Sequence, residues 1–207
     1  MLNYLLLLGW APEGEQEIFS LDEMIKIWDP SRISKSPAIF DPLKLRAINA
    51  AYIRALPAEE FRRLADPFID SAVHCDIDRD LLCANLQPRC EVLEDIPPQL
   101  DFFDAVLPID AEMYRNKKQK TTPESAKEAL TALLPVLEAQ TDWTRDAIFE
   151  ACKTLAEQME KKNGWLLFPL GIALSGKART PGGGTDLAAM MGKEETLNRV
   201  KDALGKL

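Results

Sequence analysis

Apolar residues recur at intervals of three and four along most of this 207-residue chain, and this spacing constrains the fold more than any other feature. Such spacing places the apolar side chains on one side of an α-helix. No segment combines strict apolar and polar alternation with hairpin turns at its ends, the pattern typical of β-strands. The sequence therefore predicts an all-α fold. The clearest stripe, in the stretch 123–139, consists of Ala126, Ala129, Leu130, Leu133, Leu134 and Leu137.

Capping residues indicate where the helices begin and end. Thr122 is the expected N-cap of a helix that begins at Pro123, and Ser20, Asp41 and Pro57 indicate earlier helix starts. A further helix is expected over about 144–161, with its end at Asn163-Gly164. The residues expected to face inward are Met24, Ile25 and Ile27; Leu45, Ile48, Tyr52 and Ile53; Phe61, Leu64 and Phe68; Ile148, Phe149, Cys152, Leu155, Ala156 and Met159; and Leu197, Val200 and Leu204.

Breaks between helices are expected near Asp66-Pro67, around Pro97-Pro98 and in the polar stretch 115–122. The apolar run Tyr4 to Leu8 is too short to span a membrane. Because acidic residues follow it and no basic region precedes it, the run does not indicate a signal peptide. It predicts a buried helix in a cytoplasmic protein.

The single histidine and the four cysteines restrict the chemistry of the chain. His74 is the only histidine, so a triad could be built only around it, and no signature of an oxyanion hole accompanies it. We expect His74 to lie at the surface or to cap a helix. The cysteines form no C-x-x-C pair, which favours buried free thiols in a reducing cytoplasm and no metal site. They are Cys75, Cys83, Cys90 and Cys152.

The charge balance argues against a nucleic-acid partner on composition alone. The chain carries a net charge of −8, and affinity for phosphate depends on Lys and Arg. A protein with a net negative charge can nevertheless present one positive face. The basic residues that fall in loops or near helix ends, and could form such a face, include Arg32, Lys35, Arg62, Arg63, Lys177 and Arg179, together with the stretch 115–120.

Two short motifs suggest nucleotide chemistry but lack its context. The string Arg32-Ile33-Ser34-Lys35-Ser36 looks like the KMSKS signature of class I aminoacyl-tRNA synthetases, yet helical sequence surrounds it, and the only histidine lies downstream. The string Pro181 to Thr185 lacks the Lys and Ser or Thr that end a phosphate-binding P-loop. Neither motif indicates catalysis. The second predicts a flexible loop between helices, whose backbone N–H groups remain available to a ligand.

Longer strings carry a more specific resemblance that covers essentially the whole chain in order. It is most specific in the first fifty or so residues and continues around Arg89 and in the Thr180-Pro181-Gly182 string. The sequence resembles the portion of bacterial glutamyl-tRNA synthetases that follows their catalytic domain. The matching strings are 3–10, 17–19, 34–41, Leu45, Asn49, 52–54, 87–89, 102–103, 143–144, 169–170, 173–176, 180–182 and 191–195.

This resemblance implies a non-catalytic tRNA-binding chain. Residues 1–70 are expected to form a helical stem-contact region. Residues 71–207 are expected to form an anticodon-binding α-helix cage with sub-bundles at about 71–118 and 119–207. ATP and Mg²⁺ would act in an upstream catalytic domain, so no cofactor and no catalytic residue are expected here. The expected partners are tRNA-Glu, with tRNA-Gln left open, and the catalytic domain of the same synthetase, in a monomeric protein.

The resemblance also implies specific contacts with the anticodon. Arg89 matches the arginine that the family uses at the third anticodon base, and a guanidinium offers paired donors to base acceptors. The loop residues Thr180, Pro181, Gly182 and Gly183 match the loop that lies along the other anticodon bases. Contacts with the tRNA backbone are expected from Arg32, Lys35, Lys177 and Arg179.

The sequence departs from the family pattern at two positions in this site. Gly171 stands where the family usually has an arginine, and Gly183 stands where a bulky apolar residue is usual. These departures imply weaker RNA binding, or replacement of the missing cation by Lys177 or Arg179. Together with the net negative charge, they keep an alternative open, namely a helical protein-interaction module that has lost tRNA binding.

Overall fold

Side-chain caps define the starts of several helices, as the sequence indicates. Ser20 and Glu23 form a reciprocal capping box, and the Asp41 carboxylate accepts hydrogen bonds from the N–H groups of Leu43 and Lys44. Thr122 caps the helix that begins at Pro123. The computed structural model describes all residues 1–207 and contains ten α-helices and no sheet, which confirms the all-α prediction.

The helices follow one another along the chain, and the longest connection between two of them consists of residues 87–122. In order they are α1 (Leu2–Gly9), α2 (Leu21–Ile27), α3 (Pro42–Ala55), α4 (Ala58–Asp70), α5 (Arg79–Leu86), α6 (Pro123–Ala139), α7 (Arg145–Gln158), α8 (Asn163–Ser175), α9 (Gly184–Met191) and α10 (Lys193–Lys206). Short 3-10 turns occur at Pro30–Arg32, Gln87–Arg89, Leu93–Asp95, Pro97–Gln99 and Ala111–Tyr114. No helix is both long and apolar enough to cross a membrane.

One cluster of 34 buried residues, from Ile53 to Ala203, forms the main core. Helix α8 lies at its centre, because it packs against α6, α7, α9 and α10. Its apolar residues point in all directions around the helix, as expected for a helix surrounded by other helices. The cluster includes residues on both sides of position 70, and the expected domain boundary at that position stays a prediction.

A buried arginine joins three parts of this core. The side chain of Arg199 on α10 is 4% exposed and forms an ion pair with Glu195. Its guanidinium donates hydrogen bonds to the carbonyl oxygens of Phe102, Phe103 and Leu174 at 2.6–2.7 Å. Arg199 therefore connects the 100–103 segment to the end of α8, from which the 176–183 loop departs.

Two helix boundaries differ from the sequence prediction. The break predicted at Asp66-Pro67 is wrong, because α4 continues through Pro67 to Asp70. The fully buried side chains of this helix hold it against the core despite the proline. The predicted helix over 144–161 ends at Gln158, and Asn163-Gly164 begins α8 instead of ending α7. Glu160, at a φ of 55°, turns the chain between them.

The predicted inward faces are wrong near the N-terminus. Helix α2 has no buried residue, and Ile25 and Ile27 are exposed. Helix α1 forms as predicted but buries only Asn3 and Tyr4. Helix α1 packs against α2 and α3, but these contacts leave Ile25 and Ile27 of α2 uncovered.

Candidate nucleic-acid interface

The turn Gln87–Arg89 holds Arg89 against a loop that is distant in sequence. The side-chain amide of Gln87 donates hydrogen bonds to the carbonyl oxygens of Ile53 and Leu56 at 3.0 and 2.8 Å, which attaches the turn to the end of α3. Arg89 is exposed, and its Nη1 lies 3.5 Å from the carbonyl oxygen of Thr180, 91 positions away. Because only this long hydrogen bond engages it, most of its five N–H donors remain available.

The loop 176–183 is defined by its own hydrogen bonds. The Thr180 hydroxyl donates to the Gly182 carbonyl oxygen at 2.5 Å, and the Gly183 N–H donates to the Asp186 carboxylate at 2.7 Å. At Gly184, where α9 begins, a Cβ atom would lie 2.7 Å from the carbonyl oxygen of Leu167 on α8. This position therefore requires glycine, which lets the two helices approach closely.

Arg89 and the loop line one groove of about 590 Å³. The groove lies between the Gln87–Arg89 turn, the loop and the facing sides of α7 and α8. Of the four loop residues expected to contact the anticodon, Thr180, Gly182 and Gly183 line the groove, whereas Pro181 is buried behind it. The other lining residues are Gln119, Arg145, Phe149, Gly164, Leu167, Phe168, Gly171, Ile172, Lys177, Ala178, Arg179, Gly184, Thr185 and Asp186.

The two loop cations predicted to contact RNA differ in their surroundings. The Lys177 ammonium donates a 2.9 Å hydrogen bond to the Pro98 carbonyl oxygen and pairs with Asp101, and its side chain is 22% exposed. Arg179 is exposed and forms no ion pair. Arg179 is therefore the cation of this loop that is free to meet a phosphate.

Cations outnumber carboxylates in the lining of the groove although the chain as a whole is negative, and Arg89 and Arg179 are the lining cations that form no ion pair. Its lining holds Arg89, Arg145, Lys177 and Arg179, and Asp186 is the one carboxylate among the lining residues. The excess of cations is local, so the net charge of −8 does not describe this surface. The composition argument against a nucleic-acid partner consequently does not apply to this surface.

Arg145 and Phe149 also line the groove, although no sequence pattern assigned them to the site. Phe149 was predicted to face the core, which is wrong, because it lines the groove and lies outside the buried cluster and the side chains packed against it. Arg145 donates hydrogen bonds to Asp146 and Asp186 at 2.7 and 3.1 Å, and both bonds raise the pKa of its guanidinium. The signal available in the sequence was Thr144, which caps α7 and so fixes the position of Arg145 in its first turn.

Arg32 and Lys35 lie elsewhere and do not line the groove. Arg32 forms a 3.0 Å ion pair with Glu13, and its guanidinium lies over the Trp10 ring at 5.5 Å. Lys35 is exposed in the loop before α3. Their predicted contacts with the tRNA backbone would belong to a second surface.

The histidine and the four cysteines lie outside the groove. His74 is at the surface, as expected, and its Nδ1 lies 2.6 Å from Asp104, a hydrogen bond that lowers the pKa of that carboxyl. Burial raises the pKa of Cys83 and Cys90 to about 11, so both thiols stay protonated at neutral pH. Burial raises the pKa of Cys152 to about 12. The prediction of buried free thiols is confirmed for these three cysteines, but Cys75 is exposed.

Comparisons with known proteins agree with the resemblance seen in the sequence. A protein of Clostridium botulinum strain Hall, described as glutamate–tRNA ligase, is 45% identical to this chain over 207 residues. The glutamate–tRNA ligase of Clostridium acetobutylicum is 42% identical over 208 residues. In both cases the match covers 100% of this chain and 43% of the relative, in its C-terminal part. The chain thus spans less than half the length of these relatives.

Solved structures give the same result. The crystal structure of a glutamate tRNA ligase from Elizabethkingia meningosepticum, in complex with its amino acid, matches with a TM-score of 0.85 and 28% identity. The match covers 100% of this chain and 40% of the Elizabethkingia meningosepticum chain. The glutamate-tRNA synthetase of Elizabethkingia anophelis matches with a TM-score of 0.80 and 25% identity over 99% of this chain and 40% of that chain.

The family comparison covers the groove. A family model described as "Anticodon binding domain" matches residues 45–204, which include Arg89, Phe149 and the whole 176–183 loop. The match leaves out Arg32 and Lys35. Because this match covers most of the chain, the chain belongs to the anticodon-binding domain family, and the two relatives show that it is homologous to the C-terminal part of bacterial glutamate–tRNA ligases.

Proposed function

We propose that the chain binds tRNA-Glu and reads its anticodon in the groove between Arg89 and the 176–183 loop. The observation that carries this proposal is the contact between Arg89 and Thr180, which are 91 positions apart in the sequence. The Arg89 Nη1 lies 3.5 Å from the Thr180 carbonyl oxygen. Two parts of the chain that resemble anticodon contacts thus share one positive groove. The alternative of an interaction module without tRNA binding is not favoured by the family comparisons.

The chemistry of the groove suits an unpaired anticodon. Sequence-specific RNA recognition acts mainly on single-stranded loops, whose splayed bases expose their edges. The Arg89 guanidinium offers a planar set of donors to base acceptors, while backbone groups of the loop offer further donors and acceptors. We assign the third anticodon base to Arg89, since this base distinguishes tRNA-Glu from tRNA-Gln.

The test compares binding of unmodified tRNA-Glu and tRNA-Gln transcripts at several salt concentrations. Log affinity should fall linearly with log salt, and the chain should prefer tRNA-Glu. Arg89→Gln should reduce this preference by about 1–3 kcal/mol, the usual size of a base contact. Arg54→Gln is the matched control, because Arg54 is exposed, forms no ion pair and does not line the groove. No binding by the unchanged chain at low salt would contradict the proposal.

The family usually has an arginine at the position of Gly171, and we propose that Arg179 supplies this missing positive charge. Lys177 is already engaged by Pro98 and Asp101, whereas Arg179 is free. Arg179→Gln should therefore lower the slope of log affinity against log salt by roughly 0.7, and Lys177→Gln should lower it less. A Cβ atom at Gly171 would make only ordinary contact, at 3.8 Å from the Gly184 nitrogen. Gly171→Arg should accordingly fold and raise the affinity for both tRNAs.

The chain's part in aminoacylation would be positioning, while ATP and Mg²⁺ act in the catalytic portion of a longer ligase. All exposed large apolar side chains lie in residues 1–43, which supports a contact of this region with that portion. We also propose that the protein is monomeric and cytoplasmic. ATP–pyrophosphate exchange measured on residues 1–207 alone should give no signal, and exchange activity would contradict the non-catalytic role.

A further inference from the structure

The wall of the groove formed by α7 carries an aromatic ring that the core does not use. Phe149 is half-buried and lines the groove, yet it belongs neither to the buried cluster nor to the side chains packed against it. Its helix neighbours Ile148 and Cys152 are fully buried in that cluster. Phe149 therefore presents part of a flat apolar ring to the groove, where it can contact a ligand.

A cation lies across this ring. The Arg145 guanidinium carbon is 5.7 Å from the centre of the Phe149 ring. Asp186 holds Arg145 in place through a 3.1 Å hydrogen bond and accepts the Gly183 N–H with its other oxygen at 2.7 Å. The Arg145 and Phe149 pair is therefore linked through one carboxylate to the loop on the opposite wall.

The 176–183 loop on the opposite wall contains no aromatic residue. Gly183 is exposed and has no side chain, so a flat ligand can lie close to the backbone there. Unpaired bases stack on aromatic rings and on arginine guanidinium planes, and this stacking tolerates any base. A groove of about 590 Å³ is in the size range of small-ligand sites and can admit a nucleotide.

We propose that Phe149, with Arg145 lying across it, is the stacking platform for one unpaired base of the bound tRNA. Arg89 would select a base through its edge, and the platform would hold a second base through its face. The platform would add affinity without distinguishing tRNA-Glu from tRNA-Gln. This inference rests on the proposed function, because it assumes that the groove binds an anticodon loop.

The test uses Phe149→Leu, which keeps an apolar side chain and removes the ring, and Phe149→Tyr, which keeps the ring. The probes are the intact tRNA-Glu transcript and three transcripts that each carry one abasic anticodon nucleotide. Phe149→Leu should weaken binding of the intact transcript about tenfold, as expected for loss of one stacked base. The loss should disappear for one abasic transcript, while Phe149→Tyr should bind like the unchanged chain.

A merely structural role would give a different result. Phe68→Leu is the matched control, because Phe68 packs against the core and does not line the groove. It should lower the midpoint of thermal unfolding more than Phe149→Leu and leave tRNA affinity unchanged. The salt slope should stay the same for Phe149→Leu, because no charge is removed.

The outcomes separate the two proposals. Binding by the unchanged chain together with unchanged affinity of Phe149→Leu would overturn the platform alone. An equal loss for all three abasic transcripts would also overturn it, because stacking of one base predicts a loss that depends on position. Absence of binding by the unchanged chain would overturn the proposed function and the platform with it.

Discussion

The first 43 residues and the bundle after Ile53 differ in how much of their apolar surface they bury. The bundle buries a cluster of 34 residues, whereas the first 43 residues contain all the exposed large apolar side chains of the chain. The N-terminal region buries a few large side chains, among them Tyr4, Trp10 and Phe19, and polar contacts also hold it in place. Tyr52 on α3 donates to the Phe19 carbonyl oxygen at 2.6 Å, and the Asn3 side chain bonds the backbone of Glu17 and Phe19.

This difference teaches that an amphipathic pattern predicts a helix but not its partner. Helix α2 has a complete capping box and the expected apolar spacing, yet its apolar face remains uncovered. A groove lined by Leu2, Leu5, Trp10 and Trp28 adjoins it, with a volume of about 430 Å³. Substitutions in the bundle should therefore affect folding, and those in the N-terminal region should affect contacts with other molecules.

The largest contrast is expected between two arginines. Arg199→Ala should lower the free energy of unfolding by about 3–5 kcal/mol, because three buried carbonyl oxygens would lose their donors. Arg32→Ala should lower it by no more than about 1 kcal/mol, because Glu13 is 91% exposed and an exposed ion pair contributes little. Urea unfolding followed by circular dichroism measures both. Equal effects would show that the two regions do not differ in this way.

A second contrast compares two aliphatic side chains. Leu130→Ala should destabilise the protein by about 2–5 kcal/mol, because Leu130 is fully buried and its removal leaves a cavity. Ile25→Ala should change stability by less than about 0.5 kcal/mol, because 67% of Ile25 is exposed. The midpoints of thermal unfolding, measured side by side, provide the check. A large loss with Ile25→Ala would mean that α2 is packed more tightly than the structure shows.

The smallest effect is expected at Asp104. Hydrogen bonds, above all from the His74 side chain, lower the pKa of this carboxyl in the folded protein. Its contribution to stability is fully present above the pKa of the unfolded chain, about 3.9, and is lost as the pH falls towards the folded value. The stability difference between the unchanged chain and Asp104→Asn should therefore shrink when thermal unfolding is measured at pH 3 instead of pH 6. A constant difference would contradict this.

Local rules predicted most of the helices but failed where packing decides. Thr122, Ser20 and Asp41 cap helices as expected, because capping depends only on neighbouring residues. Pro67 and Asn163 were read as breaks, yet one lies inside α4 and the other begins α8. In both places the burial of neighbouring apolar residues outweighs the tendency of proline and of Asn-Gly to end a helix.

The site could be predicted only in part. Arg89 and the 180–183 loop were identified through resemblance, and no spacing rule could have shown that they meet across 91 positions. Phe149 was misassigned because its position on the helical stripe lies next to that of Ile148. A difference of one position around a helix, about 100°, separates the core from the groove.

The glycines of the groove also bear on how its specificity could evolve. A Cβ atom at Gly182 or Gly184 would lie 2.5 or 2.7 Å from a neighbouring atom, so these two positions have almost no freedom to vary. At Gly171 and Gly183 the nearest atoms would lie at 3.8 and 3.3 Å, and the latter is a carboxylate oxygen of the Asp186 side chain. The same scaffold can therefore acquire new side chains at these two positions by single substitutions, and under the proposed function such substitutions would change the bases that the groove accepts without rebuilding the bundle.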